Sequence, residues 1–184
     1  HNQLAVVDVM QLLNGQKNLS GMDMRGLTVS GIDFSASSLY HAQLDNANMQ
    51  RIVAHTANFR DASMRGTNLV DADLTGADLR DCDLTKAVLT GATLDGAKMD
   101  GACLVGATLD GADFTGANLI GATLDEASME QTVLNKVKGK GVSLEGANMA
   151  GAKAISADFE EAAAARATLD GADFTGANLI GATL

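Results

Sequence analysis

Residues 112–121 read Ala-Asp-Phe-Thr-Gly-Ala-Asn-Leu-Ile-Gly, two five-residue units with an apolar centre, Ala two positions before it and Gly two positions after it. The same phase runs from Leu19 to Leu184, where counting every fifth residue gives 34 centres without an insertion or deletion. An unbroken period of this length marks a tandem array with no ordinary globular domain in it.

Neither regular element fits that period. A helix needs apolar spacing near 3.6 and little Gly, and a half-buried strand needs a period of 2. The centre and the residue two before it, Ala in most units, are read as facing inward. The residue before the centre is commonly Asp, Asn, Ser or Thr; it and the varied residue after the centre face outward, and the Gly-rich fifth position turns the chain. This pattern implies a solenoid whose short sides are one repeat long.

Composition narrows the function classes. The 184 residues include 20 Gly, 0 Pro and 3% aromatics, and the formal net charge is −10. Binding to nucleic acid or to an anionic membrane draws on clustered Lys and Arg, so this charge argues against both and favours a basic protein, or one that normally holds DNA, as partner. No apolar run approaches the ~20 residues of a spanning helix, and Leu4–Leu13 is interrupted by Asp8 and Gln11. That stretch also lacks the basic leader and small-residue cleavage site of a signal peptide. The chain therefore reads as soluble, with the cytoplasm favoured and a lumen or periplasm the alternative had a leader been removed. Cys82 falls on an inward position and Cys103 on an outward one, poor geometry for a disulfide.

The repeats resemble the pentapeptide repeat proteins, whose pattern A-(D/N)-L-x-x is matched by Ala-Asp-Leu at 72–74 and 77–79, Ala-Asn-Leu at 117–119 and 177–179, and Ala-Asn-Met at 47–49 and 147–149. The resemblance implies an all-β solenoid: a right-handed quadrilateral parallel β-helix with four repeats per square coil, hence about 8.5 coils over 19–184 and a rod about 40 Å long. Residues twenty apart then share an interior column. One column reads Leu19, Leu39, Phe59, Leu79, Met99, Leu119, Gly139, Phe159, Leu179, and another Phe34, Ala54, Leu74, Leu94, Phe114, Leu134, Ala154, Phe174. Small residues adjoin large ones (Gly139 and Phe159, Ala54 and Phe34, Ala154 and Phe174), the compensation that close packing demands.

Residues 2–13 are apolar and rich in helix formers, and Asn14-Gly15 is a stop signal. Residues 1–18 are thus expected to form a capping helix and lead-in that cover the first coil. The other end carries no such device, and Leu184 is a core position. Segments 107–124 and 167–184 are identical, offset by 60 residues or three whole coils. An uncapped end invites pairing of two chains through their C-terminal coils.

No constellation for chemistry emerges. His1, His41 and His55 are too few and too far from Cys103 to form a zinc site, and the Asp-rich units match no calcium loop. The Asp residues are read as solvating the surface. Every Gly is explained by the repeat, so no phosphate loop exists, and Ser and Thr are read onto surface positions with no His periodic to them. No catalytic residue, cofactor or metal is expected. Offsets of twenty pair Lys138 with Asp158, Lys140 with Glu160, Arg80 with Asp100, Lys98 with Asp78, Arg51 with Asp71, Lys153 with Asp173, and Asp45 with both Arg25 and Arg65. These are expected charge ladders between coils, each worth about 0–1 kcal/mol.

Left over is an acidic edge of Asp110, Asp125, Glu126, Glu130 and Glu145, in which Glu130 stacks on Asp110 and Glu145 on Asp125. Stacked like charges are unfavourable and call for a reason. Exposed Ile120 and Ile180 form a second candidate contact patch. The expectation is a non-enzymatic, elongated scaffold whose rigid faces dock a protein partner. As the alternative, the resemblance implies a mimic of B-form DNA: some members of the family bind topoisomerases such as gyrase and protect them from quinolones. Those members typically dimerise through a C-terminal helix, and some carry interrupting loops, neither of which this repeat shows.

Overall fold

The computed structural model describes residues 3–184. Its helix α1, Val6–Asn14, is flanked by backbone-capping contacts. The Ala5 N–H donates to Asp8 Oδ2 at 2.9 Å, which satisfies one orphan donor and sets a carboxylate in the first turn. At the other end the Gly15 N–H donates to Gln11 O and Leu12 O at 3.1 and 3.2 Å. The helix starts later than expected, at Val6, and residues 1 and 2 lie outside the described residues. Val9 and Leu13 are buried on the first coil, whereas Val6, Val7 and Met10 face outward.

From residue 18 onward the chain winds as a square parallel β-helix. Isolated parallel bridges join residues twenty apart, from Asn18↔Ser38 to Ala163↔Thr183. Three of the five amide N–H groups in each inner repeat bond to a neighbouring coil. The centre donates to the next coil (Leu19 N–H to Ser38 O, 2.7 Å), as does the corner (Gly21 N–H to Tyr40 O, 2.8 Å), and the residue before the centre donates to the preceding coil (Ser38 N–H to Lys17 O, 2.8 Å). The inward Ala position closes a turn within its own coil, as in Ala42 N–H to Leu39 O at 2.9 Å. One donor, the N–H just after the centre, has no backbone acceptor in this scheme.

Side chains supply that acceptor in many of the repeats. Every Asp or Asn immediately before a centre accepts the N–H immediately after it, from Asn18 to Ser20 through Asn178 to Ile180, fifteen times in all. This is an Asx turn repeated along the rod. The surface Asp and Asn at this position were expected to solvate the rod; they also cap its backbone wherever they occur. An unpaired amide costs about 1–3 kcal/mol when buried, which is why Asp or Asn recurs there.

The centres and inward Ala residues form one continuous core. The small-beside-large columns are realised: a Cβ built on Gly139 would meet the Phe159 ring at 2.9 Å. All 33 corner residues, from Gly21 to Gly181, have φ between +55° and +70°, and 15 of them are not Gly. Glycine is therefore preferred at the corners and not required.

Two expectations need correction. Ser37, Thr67 and Thr132 occupy inward positions and are buried. Thr67 and Thr132 donate to Leu44 O and Leu109 O at 2.9 Å, 23 residues back, as Cys82 Sγ does to Phe59 O at 2.7 Å. The equivalent place for Ser37 is taken by the end of α1, and its Oγ has no partner among the described residues. Of the expected ladders, Lys140–Glu160 closes as an ion pair at 3.0 Å. Arg25 and Arg80 turn instead to Asp23 and Asp78, two residues back in their own repeats, at 2.8 and 2.6 Å. Arg65 reaches Asp83 at 3.4 Å. Positions before and after a centre project from the same side of the chain, so a long side chain reaches the acid two residues back, or one coil up and to the side, as readily as the one directly above it.

Candidate functional site

The square section gives four faces, each named by the residue before its centre: face A (Asp23, Asp83, Thr123), face B (Asn48, Ser128, Asn148), face C (Asp33, Asp73, Asp113) and face D (Asn58, Lys138, Asp158). Asp125, Glu126 and Glu145 lie on the corner between A and B, and Asp110 and Glu130 on the corner between B and C. The single acidic edge read from the sequence is thus two carboxylate rails that border face B. Between them stand Thr108, Ser128 and Asn148, all uncharged. Residues 99–135 contain Asp100, Asp110, Asp113, Asp125, Glu126 and Glu130 and no Lys or Arg.

The stacking of acid on acid has a local cause. Asp110 Oδ1 accepts the Ser128 hydroxyl at 2.7 Å and the Glu130 N–H at 2.9 Å. Asp125 Oδ1 likewise accepts the Ser143 hydroxyl and, at 3.1 Å, the Glu145 N–H. Here Ser precedes the centre and is too short to cap in the Asx manner, so the carboxylate one coil below caps instead. Asp45 does the same for Ser63 and Arg65. The Glu side chains are less committed: Glu130 Oε1 accepts Asn148 Nδ2 at 2.7 Å, and Glu145 lies 3.9 Å from Arg166. Glu126 occupies a left-handed corner.

Ile120 and Ile180 are not part of this region. Both sit on the corner between D and A, 44% and 73% exposed, with Lys140 and Glu160 between them along the rod. Elsewhere, His55 Nε2 lies 2.6 Å from Asp73 Oδ2 on exposed surface. Burial pushes the Cys82 thiol far up, out of nucleophilic range. No cluster of three or more His, Cys, Asp or Glu suited to a metal ion occurs among the described residues. Among the described residues no helix is long and apolar enough to cross a membrane.

The sequence profile of pentapeptide repeats matches eight copies, over residues 18–51, 37–76, 54–85, 72–111, 104–135, 112–151 and 157–184. The chain belongs to the pentapeptide repeat family. Its fold is that of the family, a right-handed quadrilateral β-helix. Among solved structures it is similar to HetL, a pentapeptide repeat protein involved in heterocyst differentiation regulation from the cyanobacterium Nostoc sp. strain PCC 7120. That likeness has 21% identity over 98% of this chain and 97% of the other, with a TM-score of 0.55. A pentapeptide repeat protein from the Arabidopsis thaliana thylakoid lumen is 31% identical over 53% of this chain and 68% of its own, with a TM-score of 0.52. No curated protein sequence matches. At these identities HetL speaks for the fold alone, and a shared fold leaves the role to be argued from the surface.

Proposed function

We propose that this pentapeptide repeat protein is a non-enzymatic scaffold, with residues 1–18 as cap and 19–184 as rod, that docks a basic protein partner on face B. The two carboxylate rails carry this reading: Asp110 and Glu130 on one side, Asp125, Glu126 and Glu145 on the other, flanking a neutral polar strip. A flat face held by backbone ladders needs little reordering on binding, and its charge steers a cationic surface toward it. The test is capture of partners from a lysate by the wild type, by a face-B variant (Asp110→Asn, Asp125→Asn, Glu126→Gln, Glu130→Gln, Glu145→Gln) and by a control neutralising five acids on other faces. Capture lost only in the face-B variant supports the reading. Equal capture by all three refutes it.

The acidic belt at 99–135 favours a second reading, a mimic of DNA that binds a type II topoisomerase such as gyrase. It predicts inhibition of gyrase supercoiling by micromolar protein, relieved in the face-B variant; no effect dismisses it.

A further inference from the structure

Face D and its corner with face A carry a pattern that reverses onto itself. Along the corner the residues run Ile120, Lys140, Glu160, Ile180, and along the face centre Asn118, Lys138, Asp158, Asn178. Each row reads neutral, positive, negative, neutral. The outer members match because 107–124 and 167–184 are identical, and they also match in local geometry. The Ile120 N–H donates to Asn118 Oδ1 at 3.0 Å and the Ile180 N–H to Asn178 Oδ1 at 3.1 Å. The inner members are no product of that duplication: Lys138-Gly139-Lys140 and Asp158-Phe159-Glu160 put opposite charges at equivalent places on adjacent coils.

A two-fold interface requires such self-complementarity, since each patch meets its own copy. We infer that face D over residues 118–180 is the contact of an antiparallel, side-by-side homodimer. Take a two-fold axis perpendicular to the rod, lying in the plane of the contact and passing between the coils of Lys140 and Glu160. It leaves each column opposite itself and reverses the order of coils. Ile120 then meets Ile180 of the second copy, Asn118 meets Asn178, Lys138 meets Asp158 and Lys140 meets Glu160.

The Lys140–Glu160 pair at 3.0 Å need not open. Its counterpart lies across the axis with signs reversed, giving four alternating charges. The rest of the face agrees. Thr115 comes opposite Thr175, Asn135 opposite Ile155, and Lys136 opposite Ser156, with no like charges facing. A parallel arrangement, with the axis along the rod, sets both lysine-bearing coils at one height and both acidic coils at another, and such like-charge juxtaposition is costly. The antiparallel arrangement also sets the exposed Ile120 against the exposed Ile180 of the second copy.

Four coils span about 20 Å of rod. A strip of that length and one face wide falls short of the roughly 800 Å² per partner of a standard interface, so the dimer is weak and concentration-dependent. It goes beyond the docking reading, because face B lies opposite face D; the dimer turns its two B faces outward in opposite directions.

Sedimentation velocity from low micromolar to several hundred micromolar chain tests the inference. The wild type should pass from monomer to dimer and shift toward monomer in high salt. Lys138→Glu with Lys140→Glu makes the strip wholly acidic, and Asp158→Lys with Glu160→Lys makes it wholly basic; each double variant should stay monomeric at concentrations at least tenfold higher. An equimolar mixture of the two should dimerise, as should the quadruple variant, in which the reversed signs are again self-complementary. Circular dichroism melting of each variant separates loss of contact from loss of fold. A monomer throughout, or a dimer indifferent to these reversals, overturns the inference. Neither outcome touches partner capture by face B.

Discussion

Replacing Asp125 by Ala and by Asn separates what this carboxylate does for the fold from what its charge offers a partner. Asp125 Oδ1 accepts two hydrogen bonds from the coil above, from the Ser143 hydroxyl and the Glu145 N–H. Asn keeps the acceptor oxygen and removes the charge, whereas Ala removes both bonds and leaves the half-buried Glu145 amide without an acceptor. Hydrogen bonds to charged groups contribute about 1.5–3 kcal/mol each, and a half-buried site open to water retains a fraction of that. Asp125→Ala should therefore lose about 1–3 kcal/mol, and Asp125→Asn less than about 1 kcal/mol, since a neutral bond remains. Denaturant melts followed by circular dichroism measure both as a shift in midpoint at constant slope. In a solenoid each coil is stabilised by its neighbours, so a broken cap at one level lowers the whole transition. Equal midpoints for Ala and Asn would refute the capping role. In that case the acid stack would again need an explanation outside the fold.

Three further outcomes follow from the same geometry. Gly139→Leu should destabilise by about 1–3 kcal/mol, because even a Cβ meets the Phe159 ring at 2.9 Å, and adding Phe159→Leu should recover part of the loss in the same melts. Thr56 is β-branched at φ +55°, and a left-handed conformation costs an L-residue about 1–2 kcal/mol. Thr56→Gly should thus raise the melting temperature despite the greater freedom of unfolded Gly, and a lowered one would show that its side-chain contacts matter more. Asp23, 7% exposed, receives two hydrogen bonds from the Arg25 guanidinium, which together with the Arg25 N–H hold its carboxyl at about 2. Its folded pKa is depressed, so the stability it lends is present above pH ~4, the unfolded value, and disappears as pH falls toward 2. The first coil should loosen across that window in amide exchange, and Arg25→Gln should move the loosening to higher pH.

The period of five was enough to find the core. Which side chains face inward, where Gly139 sits against Phe159, and which residues stack twenty apart are all consequences of one register that no insertion interrupts, and register is a property of spacing. Hydrogen-bond partners are not. The Asp and Asn before each centre were legible as outward, but their role depends on which backbone donor the coil leaves unpaired, and that follows only from the three-dimensional ladder. The same limit explains the ladders of charge: vertical stacking of the residues was read correctly from the offset of twenty, while Arg25 and Arg80 pair within their own repeats because a long side chain reaches sideways as easily as upward. Thr67 and Thr132 were misplaced for a related reason. A hydroxyl looks like a surface group until a carbonyl is found 23 residues back to receive it.

That distinction bears on where function lies in a chain so regular. A carboxylate in this rod has a structural occupation by default, and Asp110 and Asp125 prove to have one. Suspicion therefore moves along the rails to Glu126, Glu130 and Glu145, whose longer side chains cap no backbone amide among the described residues. If face B docks a partner, neutralising these three should weaken capture while leaving the melting midpoint nearly unchanged, since exposed charges of this kind contribute about 0–1 kcal/mol to stability. Neutralising Asp110 and Asp125 as well should add less to the binding loss than the three glutamates did. The opposite ranking would place the docking energy on the caps themselves, and would tie the binding surface to the coil-to-coil hydrogen bonds that hold it flat.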